Sequence, residues 1–192
     1  MECPVEEEKK QPTVLVIMGS VRAGRLCEAI ARWVAETASE NIAGNVELTD
    51  LRDWSLPMDA EPAVPAMGGY QLESTLSWSR KIAAADAVIF VTPQYNGGYP
   101  AALKNALDHL FVEWADKPAV IVTYGGHGGE ACREQLRPVL ERFKMRLVDT
   151  HPALHLPRAA MQEGRLDAEV DLASHSDQIR QAAGELAAML DR

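Results

Sequence analysis

Apolar residues arrive along this chain in short unbroken runs. Between the runs lie longer stretches in which they recur every three or four positions. An unbroken run with β-branched residues predicts a strand buried on both faces, and the wider spacing predicts a helix with one apolar face. TVLVIM, Thr13 to Met18, is the first such run. A helix is expected from about Leu26 to Thr37, with Ala29, Ile30, Trp33 and Val34 on one face. NVELTDL, Asn45 to Leu51, predicts a second strand, Leu72 to Ala85 a second helix and Ala87 to Thr92 a third strand. Ala101 to Phe111 follows as a helix, with Leu103, Leu107 and Leu110 aligned. Pro118 to Gly126 predicts a fourth strand and Cys132 to Phe143 another helix. Arg146 to Thr150 predicts a short fifth strand, and Val170 to Leu190 a terminal helix.

Strands alternating with helices predict an α/β fold: a doubly wound, five-stranded parallel sheet with helices on both faces. Residues 13–192 read as one domain, preceded by a flexible tail over 1–12. The segment RDWSLPMDAEPAVPAMGGY, 52–70, breaks the alternation. At that length a loop is expected to be functional or interfacial.

Open parallel sheets bind ligands outside the carboxyl ends of their strands. Three unusual loops fall on that rim. GSVRAGR, Gly19 to Arg25, lies between the first strand and the start of a helix. Backbone amides and the helix dipole favour an anion there, with Ser20, Arg22 and Arg25 as further donors. The nucleotide-triphosphate motif fails because Arg25-Leu26 stands where Lys and Ser or Thr are needed. The dinucleotide motif fails because Val21 stands where Gly is needed. A monophosphate-sized site remains. Arg22 sits inside the turn, whereas Arg25 at the helix start is free to point to solvent, so Arg22 is expected to carry more of the binding.

PQYNGGYP follows the third strand. Pro93 ends the strand, and Gly97 and Gly98 permit a tight turn or close backbone approach. Tyr95 and Tyr99 can flank a planar ring, while Gln94 and Asn96 can hydrogen-bond its heteroatoms. Pro100 suits the first position of the next helix. TYGGHGG, Thr123 to Gly129, closes the rim with four glycines in five positions, 125, 126, 128 and 129. His127 stands there either as a ligand contact or as a helix cap. A phosphate clamp beside a ring-binding loop suggests flavin mononucleotide (FMN).

Composition narrows the classes. A formal net charge of −9 with no basic patch argues against nucleic acid. No apolar run reaches the roughly 20 residues of a membrane span, and MECPVEEEKK has no apolar leader segment. Three cysteines, Cys3, Cys27 and Cys132, without a CxxC spacing fit reduced thiols and a cytoplasmic setting. His151 and His155 have helical metal-ligand spacing, but Pro152 and Pro157 argue against a helix, so no metal site is expected.

Taken together, GSVRAGR, VTPQYNGGYPAALKNALDHL and YGG resemble the NADPH-dependent FMN reductase family over roughly Thr13 to Thr150. The resemblance implies a flavodoxin-like fold with FMN bound by Ser20, Arg22 and Arg25 at the phosphate. Pro93, Gln94, Tyr95, Asn96, Gly97, Tyr124, Gly125 and Gly126 would line the ring. Many members carry Glu in place of Gln94, and Ser and Asn near the positions of Arg25 and Cys27. The implied activity passes electrons from NADPH or NADH through FMN to a small acceptor: a flavin, quinone, azo compound or metal oxyanion. No side chain is expected to act as an essential catalyst, because the cofactor carries the chemistry. A homodimer or homotetramer is implied, with loop 52–70 and the helix after Pro100 as candidate contacts. Two other readings remain on the same residues: a flavodoxin-like electron carrier and a non-catalytic FMN-binding sensor. A fold alone does not separate them.

Overall fold

A computed structural model describes residues 11–191. Most of the tail expected over 1–12 therefore lies outside the described residues. The strands are β1 (Thr13–Met18), β2 (Asn45–Asp50), β3 (Ala87–Pro93), β4 (Pro118–Gly125), β5 (Arg146–Leu147) and β6 (Ala153–His155). The helices are α1 (Cys27–Ser39), α2 (Glu73–Ala83), α3 (Ala101–Asp108), α4 (Glu130–Arg142), α5 (Arg158–Glu163), α6 (Ala168–Asp171) and α7 (Ser176–Leu190). The sheet is parallel in the order β2-β1-β3-β4-β5, with β6 also paired to β4. This is the flavodoxin-like strand order, whose switch point lies between β1 and β3.

The unbroken apolar runs have a direct packing reason. Successive side chains of a strand point to opposite faces, so a strand covered on both sides must be apolar throughout. Val14, Val16 and Met18 of β1 join Ala87, Ile89 and Val91 of β3 in a core shared with α1 and α7. Leu15 and Ile17 join Val88 and Phe90 in a second core with Trp78, Leu103, Leu107 and Leu136 of α2, α3 and α4. The Trp54 and Trp78 rings meet edge-on at 4.7 Å and seat the start of the 52–70 loop on that second core.

The far edge departs from the sequence reading. One fifth strand, 146–150, was expected, but β5 and β6 share the position. Between them β4 loses its strand partner, and the Ile121 amide donates instead to Nδ1 of His151 at 3.1 Å. Three residues of β6 are too few to show a period. The terminal helix expected from Val170 also breaks, into α6, a 3-10 turn at Ala173–His175, and α7. The break buries Leu172 and lets Nε2 of His175 accept from the His155 amide at 3.2 Å.

Loop 52–70 is braced along its length. Glu61 accepts from the amides of Gln71 and Leu72 at 2.9 and 3.0 Å, and Asn105 donates to the Leu56 carbonyl at 2.8 Å. No helix among the described residues is long and apolar enough to cross a membrane.

Candidate functional site

The three loops singled out in the sequence lie at the carboxyl ends of β1, β3 and β4, on the two sides of the switch point. Gly19 makes the first turn possible. Its amide donates to the Val91 carbonyl at 2.8 Å, and a Cβ there would sit 3.0 Å from the Thr92 side chain. The chain leaves β1 pressed against β3 and reaches Ser20, which is fully buried.

Beyond Ser20 the backbone is open. Among the described residues, the amides of Val21, Ala23, Gly24 and Arg25 donate to no protein acceptor, and the first turn of α1 has no side-chain cap. Unpaired amides at a helix N-terminus form an anion cradle. The two arginines divide sharply. Arg22 is exposed and lies over the Tyr95 ring, its guanidinium carbon 3.9 Å from the centroid. Arg25 is turned inward, with a side chain only 3% exposed. Both its terminal nitrogens bond Asp50, and Nη1 also bonds the Ser20 carbonyl. The solvent-pointing orientation considered for Arg25 is therefore not found. Its Nε–H is buried without an acceptor.

The second loop forms a two-residue turn. Tyr95 and Gly98 exchange backbone hydrogen bonds at 2.8 and 3.0 Å around Asn96 and Gly97, both at positive φ (50° and 84°). Asn-Gly is the pair such a turn favours. The Tyr95 hydroxyl reaches back to Ser20 Oγ at 2.7 Å and ties the ring loop to the phosphate loop. Gln94 Oε1 accepts from the Cys132 amide at 3.2 Å and so caps the first turn of α4. Tyr99 packs against the core under α2, α3 and α4. Pro93 is buried at the end of β3, directly beside Tyr124 in the register.

In the third loop the glycines that the backbone requires are Gly128 and Gly129, at φ of 69° and 83°. Thr123 Oγ1 donates to the Gly128 carbonyl at 2.8 Å to hold the turn. Gly125 needs no special φ, and a Cβ built on it or on Gly97 would meet nothing within 4 Å. Gly126 faces Met161 of α5, and His127 is exposed at the tip. Tyr124 is buried against Cys27, and burial raises its phenol well above the usual range. Burial also raises the Cys27 thiol and pushes Cys132 up to about 12, so neither is a thiolate at neutral pH.

These residues fit FMN. The unpaired amides and the exposed Arg22 suit a phosphate dianion. The room left at Gly97 and at Gly125, where a Cβ would meet nothing within 4 Å, is compatible with a planar ring. Sequence reasoning missed Asp50. It sits 25 residues from its partner, at the end of an otherwise ordinary strand.

An α/β sheet of this order with such a rim defines a flavodoxin-like flavin-binding protein. The chain belongs to the NADPH-dependent FMN reductase family, whose model matches residues 12–157. It is 49% identical over 193 residues to an NAD(P)H-dependent FMN reductase of Schizosaccharomyces pombe, covering 100% of this chain and 96% of the relative. It is 31% identical over 158 residues to a quinone reductase of Pseudomonas putida, covering 77% and 76% of the two chains. Among solved structures, the flavoenzyme NAD(P)H:(acceptor) oxidoreductase FerB from Paracoccus denitrificans superposes with a TM-score of 0.70 at 21% identity. That match covers 94% of this chain and 97% of the other. The chain is accordingly an FMN-dependent oxidoreductase that draws on NAD(P)H.

Proposed function

We infer that the three rim loops form one site in which Ser20, Arg22 and the amides of Val21, Ala23, Gly24 and Arg25 hold the FMN phosphate. Pro93, Gln94, Tyr95, Asn96, Gly97, Tyr124, Gly125 and Gly126 line the ring. The observation that carries this reading is the run of unpaired amides beside Arg22 at the carboxyl end of β1. Bound FMN supplies the redox chemistry, taking electrons from NAD(P)H and passing them to a small acceptor such as a quinone, flavin or azo compound. The residues of this chain bind and orient. The Asn96-Gly97 turn keeps the backbone low over the ring space. Gln94, anchored through Oε1, keeps its Nε2 donor for a ring heteroatom. Holding the flavin and nicotinamide rings in proximity would supply the rate without a protein nucleophile.

Residues 13–192 act as one domain in this reading. Loop 52–70 and the start of α3 form the subunit contact of a homodimer or homotetramer. Its support is the apolar surface of a well-braced loop: Met67 is 80% exposed and Met58 68%. Buried, unpaired Cys27 and Cys132 and the acidic composition fit a cytoplasmic protein.

The test is an absorbance spectrum of the purified protein, then anaerobic addition of NADPH. Flavin bands that bleach and recover with a quinone support the enzyme. Bands that persist on adding NADPH favour an electron carrier. No flavin uptake after reconstitution removes the reading altogether.

A further inference from the structure

Arg25 has the charge and the place of a direct phosphate ligand, yet its guanidinium is already engaged inside the protein. Asp50, the last residue of β2, receives Nη1 at 2.8 Å and also Nη2, in the two-pronged geometry that fixes a guanidinium plane. The same Nη1 bonds the Ser20 carbonyl, so the carboxylate acts on the backbone of the anion loop through one intermediary. A third contact locks the carboxylate, whose Oδ1 accepts from the Arg52 amide at 2.9 Å. β2 pairs with β1 in parallel register, Asp50 opposite Met18, so the anchor is rigidly tied to the strand that feeds the loop.

We propose that Asp50 is the positioning residue of the phosphate loop: by holding Arg25 it fixes the Ser20 carbonyl and with it the backbone from which the following amides face the phosphate. Asp50 also balances the Arg25 charge, so the exposed charge that draws the anion belongs to Arg22. Burial alone would raise the Asp50 carboxyl, but the Arg25 guanidinium and the Arg52 amide outweigh it and hold it below the usual range. The carboxylate is therefore ionised at neutral pH.

The proposal rests on the flavin reading above, and its test separates the two. The full-length protein is titrated with FMN and with riboflavin, which lacks the phosphate, by flavin fluorescence. Asp50→Ala and Arg25→Ala should each weaken FMN by about tenfold or more, as expected for a lost charge-assisted network, and leave riboflavin within about twofold. The Asp50→Ala/Arg25→Ala pair should bind FMN no worse than the weaker single variant, because both act through one contact. Asp50→Asn, which keeps the acceptor for Arg52, should fall between wild type and Asp50→Ala. It carries the comparison if Asp50→Ala does not fold. Equal losses for FMN and riboflavin would reduce Asp50 to a general stabiliser and overturn the proposal. So would an Asp50→Ala protein that binds FMN as tightly as wild type, since holding Arg25 would then contribute nothing to phosphate binding. A wild type that binds neither ligand overturns the flavin reading itself, and the proposal with it.

Discussion

The hydroxyl of Tyr95 stands 2.7 Å from Oγ of Ser20, across the switch point between β3 and β1. This bond, with Arg22 stacked on the same ring at 3.9 Å, joins the phosphate loop and the ring loop into one unit. It also occupies two groups that the FMN reading assigns to phosphate. Removing Arg22 takes away the one exposed cation of the loop. Arg22→Ala should weaken FMN by about 1.5–3 kcal/mol, and activity should return with excess FMN. Tyr95→Phe keeps the platform for Arg22 and frees Ser20, so its affinity should stay within about tenfold of wild type. Titrations with FMN decide both. An Arg22→Ala protein with unchanged affinity would move the phosphate elsewhere.

Gly97 and Gly125 separate backbone strain from ligand fit. Neither would bring a Cβ within 4 Å of protein atoms, but only Gly97 has a left-handed φ. Gly97→Val should therefore lose stability by about 1–2 kcal/mol and lose FMN as well. Gly125→Val should melt like wild type while losing FMN, because its new side chain fills the space assigned to the ring. Thermal melts with and without FMN make the comparison. A Gly125→Val protein that keeps its flavin would show that the ring lies elsewhere.

Much of this fold was legible because its central strands are buried on both faces. Thr13 to Met18 and Ala87 to Thr92 carry their burial as unbroken apolar runs, and their observed bounds differ by at most one residue. The rim loops were legible because Asn96-Gly97 and the glycines after Tyr124 have few other uses. The far edge was not. His151 replaces a strand partner for Ile121, and nothing local to either residue signals that contact 30 positions apart. The inward turn of Arg25 was equally hidden. A helix-start arginine has the same local sequence whether it faces solvent or an aspartate on a neighbouring strand.

His151 should make stability depend on pH. Burial first, then the positive charges of Arg137 and Arg133, lower its proton affinity to about 4, against 6.5 as the ordinary value, while Glu185 and Asp149 oppose the shift. Nδ1 must stay unprotonated to accept from Ile121. Between pH 6.5 and 4 the unfolded chain binds more protons at this residue than the folded one. Stability from His151 is thus fully present above pH 6.5 and is lost as the pH falls towards 4. With allowance for partial exposure the loss is about 1–2 kcal/mol, a few degrees of melting temperature. His151→Gln keeps an acceptor that does not titrate there. The difference in melting temperature between wild type and His151→Gln should shift against wild type from pH 7 to pH 4. A difference that stays constant across that range would show that His151 does not titrate with folding.

The last expectation concerns Gln94, the polar side chain best placed to imitate a catalyst. Its Oε1 is already spent on the Cys132 amide, so only the Nε2–H₂ end remains to meet a ring heteroatom. A donor that stays an amide cannot shuttle protons, so its contribution is orientation and electrostatic tuning. Gln94→Glu preserves the acceptor for Cys132 and replaces the donor with negative charge. Gln94→Ala removes both and leaves the Cys132 amide uncapped. If orientation is the whole role, FMN-saturated Gln94→Ala and His127→Ala should each be reduced by NADPH within about tenfold of wild type, or about 1.4 kcal/mol. Gln94→Glu should retain the stability that Gln94→Ala loses, and should make bound FMN harder to reduce, because the added charge opposes electron arrival. Anaerobic stopped-flow reduction and a redox titration of the loaded variants measure the two effects. A thousandfold fall in reduction rate for Gln94→Ala or His127→Ala, with flavin still bound, would place essential chemistry on a side chain of this rim.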